Sequence, residues 1–507
     1  MSTPIILDPR DDVAILTEQA PMGSRPLGEG LPLAMQIAAG HKIARHKISA
    51  GSAIHKFGQI IGYATADIPH GSHVHSHNCA IGEHDKNYAI GVDLDKAMAG
   101  IPTPPARTFM GYQRADGKVG TRNMIALCAT VNCSATVIRQ AAERINRSGM
   151  LKDYPHVDGI VAFAHGTGCG MAQSGPGWDN LQRVLWGHAT HANVGAAIFV
   201  GLGCEAMQIR RMQEVFESNG NERFYGLTIQ ESGGTAKTIE RIVSKVEELL
   251  PEVNQARRSE CPASALTLAL QCGGSDGYSG ITANPALGAA ADLLVGLGGT
   301  VILAETPEIY GAEQLLLRRA ASQQVAEKLI ERIQWWEHYT AINNGSMDNN
   351  PSPGNKAGGL TTILEKSLGA AAKGGTTPLN DVLTYAEQAK TSGFLFMDSP
   401  GYDPASVTGQ IAAGANIVAF TTGRGSAFGS KPAPTVKLAT NDQLYQSMPE
   451  DMDINCGDIV STGVTLADKG AEILDYVLAV ASGQPSKSEA LGLGDHEFVP
   501  WQIGAVM

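Results

Sequence analysis

The chain has 507 residues and a mass of 53.2 kDa, a length typical of two to four domains. Hydrophobic residues make up 43% of it, which excludes a disordered or collagen-like protein. There are 38 Lys and Arg against 50 Asp and Glu, and the resulting charge of -12 argues against nucleic-acid binding. The 59 glycines indicate many tight turns, as in an enzyme.

The first ten residues lack the basic and apolar segments of a secretory signal, and no apolar run is long enough to span a bilayer. The eight cysteines are too sparse for a disulfide scaffold of this length. We therefore expect a reduced, cytoplasmic protein that makes no use of a membrane.

Residues 1–82 are predicted to form a small β-rich module. Two stretches, 48–54 and 68–74, each place a glycine turn between apolar positions, a pattern typical of short strands. Residues 83–108 follow as a linker, because the prolines of Ile101-Pro-Thr-Pro-Pro105 stiffen the chain and disfavour a helix.

From residue 109 the sequence predicts an α/β region with Rossmann-like parallel sheets. Helical patterns cover Ile239–Leu250 and Glu313–Trp336. Six apolar runs of strand length each end in a loop of glycine and polar residues: 159–164, 196–200, 266–270, 301–304, 394–397 and 417–420. Ligands bind beyond the carboxyl ends of parallel strands, so these loops should face one or two shared clefts. We place a boundary at Arg257–Pro262, which gives two α/β domains, 109–258 and 259–507.

The segment Val74-His-Ser-His-Asn78 is the clearest candidate for metal binding. Residues two apart on an extended segment point to the same side, so His75 and His77 can both meet one ion. Further ligands must come from elsewhere in the chain. The alternative is a solvated loop rich in histidine, in which His70 and His73 have no part in binding.

Cysteines lie at or near four of the predicted strand ends: Cys133, Cys169, Cys204 and Cys272. No Cys-x-x-Cys pair is present, so a self-contained zinc site is not expected. Three of these cysteines can still converge on an iron–sulfur cluster, whereas small buried packing residues are the alternative. We name Cys133, Cys169 and Cys272 as the alternative iron–sulfur or metal ligands.

Gly201-Leu-Gly-Cys-Glu-Ala206 superficially fits the dinucleotide fingerprint, with Glu222 at about the right distance. That acid should end a second strand, whereas Asn219-Gly-Asn-Glu222 is typical of a turn. We therefore expect no NAD.

Two glycine-rich loops suit a carboxylate or a hydroxyl-rich ligand. The loop Asn350-Pro-Ser-Pro-Gly-Asn-Lys-Ala-Gly-Gly359 offers Asn355, Lys356 and backbone amides. Arg424, in Thr-Thr-Gly-Arg-Gly425, is a planar donor that can clamp a carboxylate. Ordinary surface loops are the alternative for both.

At these residues the sequence resembles the altronate/galactarate dehydratase family of bacterial sugar-acid lyases. The resemblance covers almost the whole chain in the family's order, through the segments 71–78, 111–123, 201–205, 271–285, 350–359 and 421–425. The His75 and His77 pattern and the stretch 305–314 resemble the altronate branch. Two departures are Thr167, where the family usually has Tyr, and Ser-Ala-Phe-Gly429 in place of Thr-Pro-Tyr-Gly.

The resemblance implies a SAF-type (β-clip) N-terminal domain, a ferrous or manganese ion, and dehydration of a hexonate such as D-altronate to 2-keto-3-deoxy-D-gluconate. Removing a proton beside a carboxylate creates an enediolate-like dianion, which a cation and preorganised donors must hold. We assign His75 and His77 to the metal and His165 to the general base, since its ordinary pKa is near neutrality. Lys356 is the candidate acid, or alternatively binds sugar hydroxyls, and Asp276 is counted with His165 and Lys356 among the catalytic residues. The remaining polar residues are assigned to substrate binding or orientation: Arg122, Asn123, Asp276, Asn284, Asn355 and Arg424.

Other functions stay open at this point. Galactarate or a sulfolactate-type acid is the alternative substrate. A nicotinamide-dependent dehydrogenase of the same acids and a non-catalytic sugar-acid sensor are the alternative classes. We expect a homo-oligomer, with a dimer as the simplest case.

Overall fold

In the computed structural model, residues 3–82, 86–215, 224–504 and 506 are described. Glu222, on which the dinucleotide interpretation depends, lies outside these residues. The α/β prediction is confirmed, with an N-terminal module of short strands and two larger regions built on parallel sheets.

The N-terminal module contains two three-stranded antiparallel sheets, with the orders β1-β2-β5 and β3-β4-β6. Their strands are β1 (Val13–Ile15), β2 (Lys42–Ala44), β3 (Ala53–Lys56), β4 (Gln59–Ala64), β5 (His73–Val74) and β6 (Cys79–Ala80). The two predicted glycine-turn segments meet at a bridge between Ile48 and Ile68. Val13, Ile54 and Val74 share one hydrophobic core with residues of the C-terminal region such as Leu368. The module therefore packs onto that region.

The prediction of a helix-free linker is wrong in part, because α1 (Leu94–Ala99) lies within it. The prolines come after this helix and do not interrupt it. Asp93, just before α1, pairs with Arg318, where the Nε–Oδ2 distance is 2.5 Å. This pair ties the segment to the C-terminal region.

The central region is built on a four-stranded parallel sheet in the order β10-β9-β11-β12. Its elements are β7 (Thr108–Gln113), β8 (Val119–Gly120), β9 (Met124–Ala129), α2 (Asn132–Ser148), β10 (Gly159–Phe163), α3 (Pro176–Ala189), β11 (Val194–Gly201), α4 (Ile209–Val215), β12 (Phe224–Thr228), α5 (Ile229–Ser232), α6 (Thr235–Val253) and β13 (Arg258–Pro262). The residues predicted as a domain boundary are strand β13, which pairs antiparallel with β7.

The C-terminal region is built on a seven-stranded parallel sheet in the order β16-β17-β15-β14-β18-β19-β20. Its strands are β14 (Thr267–Cys272), β15 (Thr300–Leu303), β16 (Leu379–Leu383), β17 (Gly393–Met397), β18 (Ile417–Thr422), β19 (Thr435–Ala439) and β20 (Ile454–Asn455). Its helices are α7 (Ala283–Gly296), α8 (Glu313–Leu317), α9 (Gln323–Ile342), α10 (Pro353–Ala357), α11 (Ile363–Ala371), α12 (Asp403–Ala412), α13 (Asp442–Ser447), α14 (Asp458–Ser461), α15 (Leu466–Ala481) and α16 (Lys487–Ala490).

The helix predicted over Glu313–Trp336 is instead two helices, α8 and α9. The Ser322 hydroxyl accepts the backbone N–H of Val325 and so begins α9 as a new helix. Just before it, Ala320 forms a bridge to Leu379 at the start of β16. Hydrophobic periodicity alone does not reveal this interruption.

The six predicted strands all form, and their loops divide between the two parallel sheets. The strands β10 and β11 belong to the four-stranded sheet. The other four, β14, β15, β17 and β18, belong to the seven-stranded sheet. None of the helices in the described ranges combines the length and the apolar character needed to span a lipid bilayer.

Candidate active site

A cavity of about 410 Å³ opens at the carboxyl edge of the seven-stranded sheet. Three neighbouring strands, β17, β15 and β14, end beside it. Helix α11 and the loop 349–355 complete its wall. The ionisable and amide groups that line it include Cys272, Glu308, Asn350, Lys366 and Asp403. Its position matches the usual ligand site of a parallel α/β sheet.

Glu308 and Lys366 form a buried ion pair in this wall, 2.7 Å apart between Oε1 and Nζ. Asn350 closes the triangle, because its amide donates to Glu308 Oε1 at 2.7 Å and its carbonyl accepts from Lys366 at 2.6 Å. Burial would raise the pKa of Glu308, but Lys366 and Lys373 outweigh burial and its pKa is lowered. Burial would lower the pKa of Lys366, yet Glu308 raises it. At neutral pH the pair is therefore fully charged.

Behind this pair, Lys373 donates a hydrogen bond to the Sγ of Cys272 at 2.8 Å and lies 3.9 Å from Glu305 Oε2. Burial raises the pKa of Cys272 to about 12, so the thiol stays protonated. Its S–H donates to Glu308 Oε2 at 3.5 Å. These contacts connect Lys373 to the cavity wall through the thiol.

Glu305 is the most constrained residue of the group. It is fully buried, and its φ of 76° lies in the left-handed region that side-chain-bearing residues avoid. Within the described part of the chain, both carboxylate oxygens lack a hydrogen-bond partner. Burial and then the charge of Glu308 raise its pKa well above the usual range.

Cys272, Glu305 and Glu308 have potential ligand atoms within 4.8 Å of one another, the spacing of a metal centre. The ammonium groups of Lys366 and Lys373 already lie against it. A divalent cation here would face two like charges in a buried setting, which is costly. The arrangement fits acid–base and anion-stabilising chemistry better than metal binding.

Asp403, at the start of α12, lines the same cavity. Burial, followed by the negative charge of Glu308, raises its pKa to about 7. Near neutral pH this carboxyl group is therefore half protonated, while Glu308 stays ionised. Two carboxyl groups whose pKa values are pushed apart in one cavity are a common basis for general acid–base catalysis.

A second polar cluster contains four histidines of the N-terminal module, His41, His73, His75 and His77. Ring centroids within it are 5.2–5.5 Å apart. His41 Nδ1 lies 3.1 Å from His73 Nε2. Burial lowers the pKa of His41 to about 4 and of His73 to about 3, so both rings are neutral near pH 7. Neutral imidazole is the form that binds metal ions.

The loop 350–359 lies between the histidine cluster and the 410 Å³ cavity. Asn350 and Asn355 line the cavity. The next carbonyls accept from histidine, Lys356 O from His75 Nε2 at 2.8 Å and Ala357 O from His41 Nε2 at 3.3 Å. The loop therefore couples the N-terminal module to the cavity wall.

Arg122 and Asn123 are placed away from the cavity by their own hydrogen bonds. Arg122 makes two 2.7 Å bonds to the carboxylate of Glu489 and also donates to the carbonyls of Val480 and Gln484. Asn123 donates to backbone carbonyls in the central region and accepts from Arg114. Neither lines this cavity, so the structure places both away from it, and their assignment to substrate binding stays a prediction.

His165, the predicted base, is buried in the central region, and both of its ring nitrogens are used. Nε2 lies 2.8 Å from the carbonyl of Ala129, and Nδ1 accepts the backbone N–H of Thr167 at 3.2 Å. Burial lowers its pKa to about 4. The structure does not bring this ring to the cavity, and its bonds shape the loop after β10.

Asp276 and Asn284 are saturated with protein hydrogen bonds. Asp276 accepts from Ser279, Thr440 and Asn441. Asn284 donates to the carbonyl of Gly369 and accepts from Thr421. These bonds fix the strand-end loops, and the assignment of Asp276 and Asn284 to the orientation of substrate hydroxyls stays a prediction.

Asn355 caps α10 through Ser352 and donates to the carbonyl of Ser275 at 2.8 Å. Asn355 also lines the cavity, so these bonds fix the position of the cavity wall. Arg424 is exposed and lines a separate cleft of about 850 Å³ that also includes Ala357 and Asp276. Lys356 is half-buried and contributes its carbonyl to His75.

The named cysteines do not converge. Cys272 belongs to the seven-stranded sheet, and Cys133 and Cys169 are exposed in the central region. The exposed Cys204 lies nearer to them, since it shares a cavity with Cys169. The structure therefore separates Cys272 from the proposed ligand set.

Sequence reasoning gave no role to five groups that the structure brings forward: Glu305, Glu308, Lys366, Lys373 and Asp403. Glu305 and Glu308 had a signal, because they occupy a loop after a predicted strand. The two lysines come from α11 and the turn after it, far along the chain from Cys272. The same holds for His41, which reaches the histidine-rich segment only through the pairing of β2 with β5.

The fold and these two clusters define an α/β enzyme with an N-terminal β-rich module. Three family models match consecutive parts of the chain: the altronate/galactarate dehydratase SAF domain over residues 2–81, the D-galactarate dehydratase/altronate hydrolase second domain over 111–254, and the D-galactarate/altronate dehydratase C-terminal domain over 263–506.

Curated relatives agree with these models. An altronate dehydratase of Bacillus subtilis (strain 168) is 36% identical over 96% of each chain. A galactarate dehydratase (L-threo-forming) of Escherichia coli (strain K12) is 35% identical over 94% of this chain and 92% of its own. The beta subunit of a (2R)-sulfolactate sulfo-lyase of Chromohalobacter salexigens is 31% identical over 78% of this chain and 97% of its own.

The chain belongs to the altronate/galactarate dehydratase family. The predicted resemblance is confirmed, and so is the enzyme class, a carbon–oxygen lyase that eliminates water.

Proposed function

We propose that this enzyme dehydrates D-altronate to 2-keto-3-deoxy-D-gluconate in the cavity beside Glu308. The observation that carries the proposal is the pair Glu308 and Asp403, two carboxyl groups in one cavity with opposite protonation preferences. The volume of about 410 Å³ suits a six-carbon acid. Relatives named altronate dehydratase, such as that of Bacillus subtilis, and the resemblance of the His75 and His77 pattern to the altronate branch are the reasons for choosing altronate as the substrate.

Glu308 is the proposed general base, which takes the proton from C2 of the substrate. Its Oε1 is held by Lys366 and Asn350, whereas Oε2 receives only the long thiol bond from Cys272. The negative charge that develops beside the substrate carboxylate needs cationic donors already in place. Lys366 lies in the cavity wall, and Lys373 lies behind it, to supply that field.

Asp403 is the proposed general acid. In its protonated form it delivers a proton to the C3 hydroxyl as the C3–O bond breaks, and water leaves. The electron pair from the C2–H bond forms the C2–C3 double bond, which gives an enol. The enol tautomerises to the 2-keto acid. Glu308 then releases its proton to solvent and Asp403 takes one up from solvent, so that the site is reset.

The divalent ion that the family resemblance implies fits the histidine cluster. Two nitrogens bound to one ion at about 2.1 Å each lie about 3 Å apart, close to the 3.1 Å between His41 and His73. His41 and His75 also direct Nε2 at backbone carbonyls, the outer contact that metal-binding histidines usually make. With His77 beside His73, these residues would hold a ferrous or manganese ion. Such an ion supplies positive charge for carboxylate binding.

A panel of sugar acids tests this function. Keto-acid formation from D-altronate, galactarate and sulfolactate is followed for the wild type and for Glu308→Gln. We expect D-altronate to give the highest kcat/KM, with no reduction of added NAD. Preferred conversion of galactarate would reject the substrate, and NAD reduction without keto acid would reject the reaction. Asp398→Asn is the matched control, because Asp398 is buried nearby and bonded to Thr306 and Trp336.

A further inference from the structure

Three exposed cysteines follow three neighbouring strands of the central sheet. Cys133 comes after β9, Cys169 after β10 and Cys204 after β11, and these strands are adjacent and parallel. Their carboxyl ends therefore point to the same edge, where loops of parallel sheets form ligand sites. All three cysteines are free thiols.

Direct contacts hold the three loops together. The backbone N–H of Asn132 donates to Thr167 O at 2.8 Å and joins the first loop to the second. The hydroxyl of Thr130 donates to Glu205 Oε1 at 2.8 Å and joins the first loop to the third. Gly168 has a φ of 93°, and a Cβ there would lie 2.6 Å from Thr130 O. This glycine lets the Cys169 loop approach the Cys133 loop closely.

A cavity of about 470 Å³ lies among these loops and is lined by both Cys169 and Cys204. Gln173, Glu205 and Arg211 also line it. Glu205 is fixed, since its second oxygen accepts the N–H of Gly203 at 2.6 Å. Arg211 lies over the ring of Trp178 at 4.5 Å and adds positive charge at the rim. Cys133, in the first turn of the long helix α2, stands at the adjacent loop.

We infer that Cys133, Cys169 and Cys204 bind an iron–sulfur cluster of the four-iron type. Thiolate is the ligand that such clusters require. Each thiolate binds one of the four irons, so three thiolates leave the fourth iron free for an oxygen ligand. The positive charge of Arg211 and the amides of the glycine-rich loops offset the charge of the cluster. Binding of the cluster does not rest on the proposed function, whose cavity shares no lining residue with this one.

Reconstitution tests the inference on the full chain. Protein purified without oxygen is incubated with ferrous iron, sulfide and a thiol reductant and then desalted. Iron, acid-labile sulfide and visible absorption are measured. We expect about four irons and four sulfides per chain in the wild type. Cys133→Ser, Cys169→Ser and Cys204→Ser should each lose at least three quarters of the sulfide. These cysteines are exposed, so the substitutions should leave folding intact.

Matched controls are Cys79→Ser and Cys456→Ser, which change buried thiols elsewhere and should retain the cluster. A wild-type protein that takes up no sulfide would overturn the inference, as would three variants with wild-type sulfide content. Failure of the proposed function is recognised separately. A chain that takes up no sulfide on reconstitution but dehydrates D-altronate rejects only the cluster, and a chain that binds the cluster but converts no sugar acid rejects only the function.

Discussion

Lys373 and Cys272 are joined by a hydrogen bond of 2.8 Å between Nζ and Sγ, in a place that solvent does not reach. The ammonium group also faces Glu305, whose carboxylate has no hydrogen-bond donor in the described structure. Lys373 therefore helps to balance the negative charge of the ionised Glu308 in the cavity wall.

Lys373→Met removes one of the two cations that keep the buried Glu308 ionised. Because breaking a buried pair leaves an uncompensated charge, we expect a loss of about 3 kcal/mol or more in unfolding free energy. Urea denaturation measures it. Lys469→Met is the control, since the side chain of Lys469 is also largely buried but pairs with the partly exposed Asp458 and the exposed Glu472. A loss at Lys373 no greater than that at Lys469 would contradict the assigned role.

Asp403→Asn tests the acid and its titration. The folded pKa of about 7 lies above the ordinary value of 3.8, so ionising Asp403 costs more in the folded state. The wild type should therefore lose stability relative to the variant as pH rises from about 4 to about 7. Paired denaturation curves across that window measure the difference, and a constant difference would refute the raised pKa. On D-altronate we expect kcat to fall about 10²-fold or more.

His41→Gln and His73→Gln test the histidine cluster as a metal site. Each removes a ring nitrogen of the 3.1 Å pair, so we expect ferrous and manganese affinity to fall by about 10-fold or more. Calorimetric titration without oxygen measures it. His46→Gln is the control, because His46 is an exposed histidine of the same module, paired with Asp12. Equal affinity in all three variants would exclude the cluster as the binding site.

Glu365→Gln tests the contact between the N-terminal module and the C-terminal region. Glu365 lies on α11 and pairs with Lys42 at 2.8 Å and Lys56 at 2.9 Å, all three fully buried. The variant leaves two ammonium groups without a counter-charge, and we expect a loss of about 3 kcal/mol or more. Asp67→Asn, which breaks an exposed pair with Lys47, should cost far less, because solvent screens that pair. Denaturation curves decide between these outcomes.

The pH dependence of this contact has the opposite sign to that of Asp403. Burial would raise the pKa of Glu365, but the two lysines outweigh it and hold the pKa well below its ordinary value. The stability it provides is therefore present above its unfolded pKa near 4.5 and is lost as pH falls below that value. Glu365→Gln should remove this acid-side loss.

The sequence was sufficient to predict the order of the fold, because apolar runs such as 266–270 and 394–397 and their glycine loops are local signals. It also located Glu305 and Glu308 at a strand end. It did not reveal that Lys366 and Lys373 meet Cys272, since α11 reaches the sheet edge through packing between distant segments. His165 shows the same limit. A histidine after a strand has the chemistry of a base, and only the structure shows that both of its ring nitrogens are bonded to backbone.

The histidine cluster shows the same limit. Alternation along Val74-His-Ser-His-Asn78 predicted His75 and His77 as metal ligands. In the structure, two ring nitrogens that lie 3.1 Å apart belong to His41 and His73. The antiparallel pairing of β2 with β5 sets that contact, and this pairing has no local sequence signal. The bonds from His75 and His41 to the backbone carbonyls of Lys356 and Ala357 also could not be predicted, because a side-chain pattern carries no information about backbone contacts.

Exchange of the C2 hydrogen of D-altronate with deuterium oxide tests the pairing of Glu308 with Asp403 most directly, because it separates proton removal from loss of water. Asp403→Asn should still exchange C2 hydrogen while forming keto acid slowly, and Glu308→Gln should lose both reactions. Exchange at the wild-type rate in Glu308→Gln would show that another group removes the proton.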